Sequence, residues 1–349
     1  MKFQDYEIHV FITNFIPEDV SPKSQLYDFI RPRMSYSYLR SWARLLKHGT
    51  RGYQPWKRDV MTIPRKRANS LRNSYLAQVI RALEMISCKS LSINVYSNKE
   101  QSIATSKNST RISWTVRKSF KRMNSFNNSP WEESDPDSPW NLVWENRATL
   151  RKLHDTELPE KTLILILEND VLFSAENLVY WLDERENLRK SGLLPGFIRV
   201  EYSDIRNAWL CIDIHDRKSL NTPDFINRHE ISRSRYVQIS NLYNGLIILD
   251  KELLGEFVKS IAFDKKLSKN LIWWDMGARA SSGLQFVNTP QGFSDRYLIA
   301  LEKPVSEIHA GAMVHHLPNL YSAVHEVSAN MPSVQELNMA VSQTASLND

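Results

Sequence analysis

Cysteine is scarce. The 349 residues hold two, Cys88 and Cys211, far apart and outside any metal-type spacing. Neither a disulfide framework nor a cysteine-based zinc site is therefore expected, and a reducing compartment follows as the simplest setting. Glycine is scarce as well, ten in all, and none belongs to a phosphate-cradling loop, which argues against P-loop and dinucleotide-binding classes. No internal repeat is visible. No apolar run approaches the length required to cross a bilayer, and the opening residues 1–7 carry charge where a secretory leader needs an apolar core. The expectation is a cytoplasmic protein with no transmembrane segment.

Acidic residues are in the minority, Lys+Arg 45 against Asp+Glu 39, for a net charge of +6 and a pI near 9.1. Such an excess favours anionic ligands. The cations gather at Lys57-Arg58, Arg65-Lys66-Arg67, Arg117-Lys118 and Lys121-Arg122. No nucleic-acid-binding motif accompanies them, so a solvated face or a phosphate-attracting rim is the reading, and no nucleic-acid partner is expected. At 42% hydrophobic and 24% charged, the composition is that of a globular chain long enough to bury a core.

The chain is organised around the apolar run Thr162–Leu167, followed at once by Glu168, Asn169 and Asp170. Six consecutive apolar or β-branched residues predict a strand covered on both faces, as at the centre of an α/β sheet. Ligands of open α/β sheets bind beyond the carboxyl ends of the strands, so these polar side chains stand where a ligand is met. Two carboxylates flanking an amide suit Mg²⁺ or Mn²⁺, which take one or two protein carboxylates and complete their shell with phosphate and water. The competing role for the tripeptide is to turn the chain, with Ser174 capping a helix over 175–185.

Around that run the pattern alternates between strand and helix. Ile8–Thr13 reads as a first strand, residues 70–85 as a helix capped by Ser70, Leu91–Tyr96 as a second strand, and 144–154 as a helix leading to the acidic strand. Further strands are expected at 197–202, 209–214 and 241–249, with a helix from Lys251 to Ile261. Prolines 17, 22, 32, 55 and 64 predict an irregular stretch with one short helix near 36–46. The Ser-, Asn- and Pro-rich stretch 100–140 is expected to be a flexible insertion, and 326–349 a C-terminal tail. Asn14 and Asn98 stand near strand ends, where they either turn the chain or contact a nucleotide. Asp275 opens a helix of small residues beside Trp273 and Trp274, so it either caps that helix or, in an apolar setting that raises its pKa, serves as a general base. His309, His315 and His316 are candidates to bring one imidazole to a carboxylate-bound cation.

Five blocks in order carry a resemblance: the strand ending in Glu168-Asn169-Asp170, then 177–181, the segment 192–202, Gly292–Tyr297 and Val314–Asn319. Together, over about 162–321, they resemble bacterial glycosyltransferase-like proteins related to the plant KOBITO type. The resemblance implies an α/β, GT-A-like (Rossmann-like) fold: a mixed, mostly parallel sheet flanked by helices, with a long loop insertion, in a single nucleotide-sugar-binding domain over 1–325. It implies a hexosyl- or pentosyltransferase that uses Mn²⁺ or Mg²⁺ and a nucleoside diphosphate sugar, with an unidentified glycan, lipid-linked or small-molecule acceptor. Asp170 and Glu168 stand at the family's acidic motif, though Glu replaces its first Asp, so Glu168 either binds metal or contacts the donor. His315 or His316 maps to the C-terminal metal ligand. Asn14, Asn98, Asn169, Arg279 and Arg296 are candidate donor contacts, and Asp275 or its rival Glu201 the catalytic base. A non-catalytic nucleotide- or glycan-binding protein of the same fold is the alternative.

Overall fold

The computed structural model describes residues 3–14, 65–99, 103, 110–117, 139–222, 224–240, 242–243, 245–272, 274–302, 307–318, 321–322 and 325–344. In chain order the elements are β1 (Glu7–Asn14), α1 (Arg65–Glu84), β2 (Ser90–Ser97), β3 (Thr110–Val116), α2 (Asn146–His154), β4 (Thr162–Glu168), β5 (Val171–Leu172) and α3 (Ala175–Leu188). There follow β6 (Leu194–Pro195), β7 (Ile198–Ser203), β8 (Ala208–Cys211), β9 (Ile226–Ile231), β10 (Ser234–Ile239), β11 (Leu246–Leu249) and α4 (Lys251–Lys259). The last are α5 (Met276–Ala280), β12 (Tyr297–Ala300), β13 (Met313–His316), α6 (His325–Asn330) and α7 (Val334–Gln343). The main sheet runs β11-β4-β1-β2-β3, parallel except for β11. Two four-stranded sheets, β5-β13-β7-β8 and β6-β12-β10-β9, complete a mixed α/β fold of Rossmann-like character.

Local sequence explains the central elements. β4 is buried at every position from Thr162 to Leu167 because the strand is apolar on both pleats, and only Glu168 reaches partial exposure. α1 buries Leu76, Val79, Ile80 and Leu83 at helical spacing and joins β1 to its parallel neighbour β2, as a crossover requires. Ser174 caps α3 in a reciprocal box with Asn177, and Asp250 caps α4 through the Leu253 amide. One contiguous apolar core runs from Ile8 in β1 to Val341 in α7.

Three expectations change. Helix α1 begins at Arg65, so Ser70 lies within it rather than at its start. The stretch 100–140 contains a strand: β3 pairs in parallel with β2 from Leu91↔Thr110 to Ser97↔Val116. Its alternating burial is that of a sheet edge, and its Thr, Ile, Trp and Val residues supply the β-propensity that the surrounding Ser and Asn obscure. The segment 326–349 is no tail as far as Thr344, because α7 sends Leu337 and Val341 into the core and Ser333 bridges Leu210 at the edge of β8. Its sequence showed few apolar residues, but Val334, Leu337, Ala340 and Val341 fall on one helical face, with Met339 exposed outside it. The helix expected at 36–46 lies outside the described residues. Among those residues, no helix is long and apolar enough to cross a membrane.

One buried carboxyl makes stability depend on pH. Asp295 is 1% exposed, accepting from the Tyr297 amide at 2.8 Å and from Gln285 Nε2 at 3.3 Å. Burial pushes its pKa up to about 6, against the downward pull of those two hydrogen bonds. The folded state thus holds the proton more tightly than the unfolded chain. Its stability contribution is full below the unfolded value and declines as pH rises from about 4 to about 6. Asp295→Asn should therefore gain on wild type across that window, by roughly 2 kcal/mol at pH 7.5 relative to pH 4. Denaturant melts of the two proteins at both pH values check this, and parallel pH profiles would refute it.

Candidate active site at the junction of two sheets

The acidic tripeptide occupies the passage between two sheets. β4 ends the main sheet at Glu168, and after Asn169 and Asp170 the chain enters β5, the edge of the β5-β13-β7-β8 sheet. There His316 of β13 pairs with Val171, and the Leu317 amide donates to the Asp170 carbonyl at 2.8 Å. Register alone thus sets His316 beside Asp170, with His316 Nε2 3.7 Å from Asp170 Oδ2. The other ring nitrogen, Nδ1, meets Glu201 Oε1 of β7 at 2.6 Å. A carboxylate accepts, so Nδ1 carries the proton donated to Glu201 and Nε2 faces the Asp170 carboxylate. Burial lowers the His316 pKa, but Asp170 and Glu201 overcome it and hold the imidazole above its ordinary value.

Glu201 is fully buried, and its Oε2 accepts from the Tyr321 and Ser322 amides at 2.9 and 2.7 Å. Both of its oxygens are spent on positioning. The expectation that Glu201 takes an acceptor proton is corrected: it orients His316.

Glu168 is engaged differently. Its Oε2 accepts from Arg199 Nη1 at 3.0 Å and its Oε1 from the Tyr243 hydroxyl. Arg199 in turn pairs with Asp213, Nη2 to Oδ1 at 2.6 Å, and its guanidinium lies 4.5 Å from the Tyr243 ring centroid. Burial raises the Glu168 pKa, and Asp170 adds to that, against the pull of Arg199. Arg199 is itself driven down by burial and raised well above its ordinary value by Asp213 and Glu168, so it stays cationic. Gly245 makes the packing fit: a Cβ at its φ of +67° would stand 2.9 Å from Arg199 Cδ. Glu168 is thus an ion-paired, hydrogen-bonded wall of the site, about a third of its side chain exposed.

The asparagines tie the strand ends together. Asn169 Nδ2 donates to Asn14 Oδ1 at 2.7 Å, and Asn14 Nδ2 to Ser97 Oγ at 3.3 Å, joining β4, β1 and β2. Asn14 is fully buried and Asn98 nearly so, which removes Asn14 from the surface a donor would touch. The arginines are corrected too. Arg296 gives Nε to the Gly192 carbonyl at 2.7 Å and Nη1 to Glu256 at 2.6 Å; Arg279, 4% exposed, gives Nη1 to the Trp274 carbonyl at 3.0 Å. Both are consumed by the fold.

His315 points to the opposite face of β13, edge-on to Trp209, and His309 packs on Tyr180 while accepting from the Gly311 amide, so neither joins His316. Asp275 caps α5, its Oδ1 accepting from Ala278 N at 2.8 Å. It follows Trp274, which packs edge-on against Tyr243 and so against the Glu168 wall.

Sequence reasoning missed Arg199, Asp213 and Tyr243. A signal existed: Arg199 and Glu201 alternate on one face of an otherwise apolar strand, as Asp213 does between Ile212 and Ile214, and charges so placed need partners.

The residues fit a divalent cation in part. Two ligand atoms each about 2.1 Å from one ion stand roughly 3 to 4 Å apart, and Asp170 Oδ2 and His316 Nε2 match that, their separation exceeding a hydrogen bond. A buried carboxylate orients the imidazole, as ligating histidines require. Among the described residues no group of three or more His, Cys, Asp or Glu side chains converges on one point. Among the described residues Asp170 and His316 would be the protein ligands there, with other positions left to substrate oxygens and water, the arrangement that suits Mg²⁺ or Mn²⁺. A cavity of about 940 Å³ lies at the other end of β4, near Thr162, Trp181 and Arg185, away from this chemistry. Its wall is closed by ion pairs of Arg185 with Asp250 and Glu252.

No protein-family model matches the chain, and no curated protein matches it either.

Replacing Glu201 by Gln keeps the shape but puts an amide where two main-chain donors and an imidazole converge. The expected result is a loss of roughly 10- to 100-fold in Mn²⁺ affinity with the fold retained. Titration calorimetry checks it, and unchanged affinity would show that Glu201 does not hold the ring.

Proposed function

We propose that the protein is a metal-dependent glycosyltransferase that moves a sugar from a nucleoside diphosphate sugar to an acceptor hydroxyl. The observation that carries this reading is the facing pair, Asp170 and His316, brought together by strand pairing at the carboxyl end of β4. The five-block resemblance to the KOBITO-related family supports it, as does a positive net charge suited to an anionic donor.

In this reading Asp170 and His316 hold Mn²⁺ or Mg²⁺, which when bound supplies Lewis-acid neutralisation of charge growing on the departing diphosphate. Glu201 fixes the imidazole so that Nε2 stays directed at the donor side. The Arg199 guanidinium, held between Asp213 and Glu168, keeps that wall ordered without being consumed by substrate. Asn169 and Asn14 lock the strand ends against which the donor rests. Asp275 is the candidate to take the acceptor proton through the oxygen not used in its cap.

Donor hydrolysis with Mn²⁺ across UDP-, GDP- and other nucleoside diphosphate sugars tests the assignment. Asp170→Asn and His316→Gln should each lower the rate at least about 100-fold; rates equal to wild type would remove the metal site. Asp275→Asn separates two roles, because Asn caps a helix about as well as Asp but accepts no proton at neutral pH. Transfer should fall by roughly 100-fold or more with thermal stability unchanged, whereas unchanged transfer would leave Asp275 as a cap alone.

A non-catalytic nucleotide- or glycan-binding protein is the second reading, favoured by the internal engagement of Arg279 and Arg296, which leaves the diphosphate without those two cations. Nucleotide binding without turnover on any donor would select it.

A further inference from the structure

We propose that Tyr202, Trp209 and His315 form a carbohydrate-binding platform that seats a pyranose ring of the acceptor away from the reacting hydroxyl; the acceptor role rests on the transferase reading. The three side chains share the reverse face of the β5-β13-β7-β8 sheet. Tyr202 and Trp209 are cross-strand partners, and His315 lies on the adjoining strand. Trp144, Trp181 and Trp274 are buried, yet Trp209 is 42% exposed. Its indole is braced by two rings nearly perpendicular to it: Tyr202 at 5.5 Å and 67°, His315 at 5.1 Å and 88°. Edge-on neighbours fix the plane of the indole and leave it presented to solvent.

The rim is polar. The Tyr202 hydroxyl donates to Asn207 Oδ1 at 2.5 Å, Asn207 is held by a turn at φ +48°, and Asp204 is exposed beside it. An exposed indole in contact with a phenol and an imidazole, with an amide and a carboxylate in the adjoining turn, matches a pyranose, which offers C–H groups on its face and hydroxyls around its edge. The area argues for a ring-sized ligand. The exposed part of one indole is on the order of 100 Å², with Ile205 its only large exposed apolar neighbour in the adjoining turn. A stable protein interface needs about 800 Å² from each partner. The charge argues against an anionic membrane: between residues 202 and 213 the one cation, Arg206, is bound to the Ser328 and Met331 carbonyls and to Glu336. Tyr202 and His315 are the chain neighbours of Glu201 and His316, so the platform lies on the other face of the sheet that carries the candidate centre.

The test uses the whole chain with cellohexaose, maltohexaose, chitohexaose and α-mannohexaose, by calorimetry and saturation-transfer NMR. At least one should bind with saturation of its ring C–H protons. Trp209→Ala should weaken that binding roughly tenfold or more, and Trp209→Phe should restore most of it. Binding that depends on Trp209 in a protein lacking donor turnover would keep the platform while the transferase reading fails. The platform is overturned if no hexasaccharide binds, if Trp209→Ala binds like wild type, or if Trp209 proves necessary for co-sedimentation with phosphatidylglycerol vesicles and not for any glycan.

Discussion

A single main-chain hydrogen bond, Leu317 N to the Asp170 carbonyl, closes the seam on which the rest of this architecture depends. It sits where the chain leaves one sheet for another, extending the short ladder in which Val171 meets His316 and Leu172 meets His315. Side chains alternate strictly along a strand, so slipping that ladder by one residue would turn His316 away from Asp170 and bring His315 in its place. The site is in this sense a product of register. Two residues 146 positions apart become neighbours because each follows the pairing of its own strand.

Around the seam, charge is buried only in company. Arg199 lies between Asp213 and Glu168 and over a phenol ring, and Glu201 receives two amides and an imidazole. Removing one partner from such a group leaves an uncompensated charge in a poorly solvated interior, and this is costlier than the pair is worth. The polar residues that shape the site therefore also hold β4, β7, β11 and β13 in one arrangement. Asp170 differs from them: its carboxylate, a quarter exposed, has no hydrogen bond among the described residues, whereas both oxygens of the comparably exposed Glu168 accept one. Asp170 has capacity left for a ligand.

The sequence made the α/β alternation and the central strand legible because their apolar runs have one interpretation: Thr162–Leu167 buried on both faces can only be an inner strand. Ser174 and Asp275 were legible as caps because their chemistry is local. Long-range partnership was hidden. Nothing near Glu201 announces that it faces His316 rather than solvent, and nothing near Arg296 that Gly192 and Glu256 wait for it. Of the two adjacent histidines, the choice fell to pleat parity, which is undefined until pairing is known. Thr110–Val116 was concealed by polar surroundings, and the closing helices by their modest hydrophobicity.

Those closing helices bear on how the chain matures. The β8 edge is covered late, when Ser333 bridges Leu210 and the Pro332 carbonyl accepts from the Cys211 amide. During synthesis, β7 and β8 are made more than a hundred residues before that cover arrives, and β13 is likewise still missing. A ribosome-bound intermediate must therefore carry an open strand flank, a template for mispairing with neighbouring nascent chains. Chaperone capture before about residue 335 would shelter it, whereas premature termination there would leave a chain that has its acidic corner but lies exposed to aggregation.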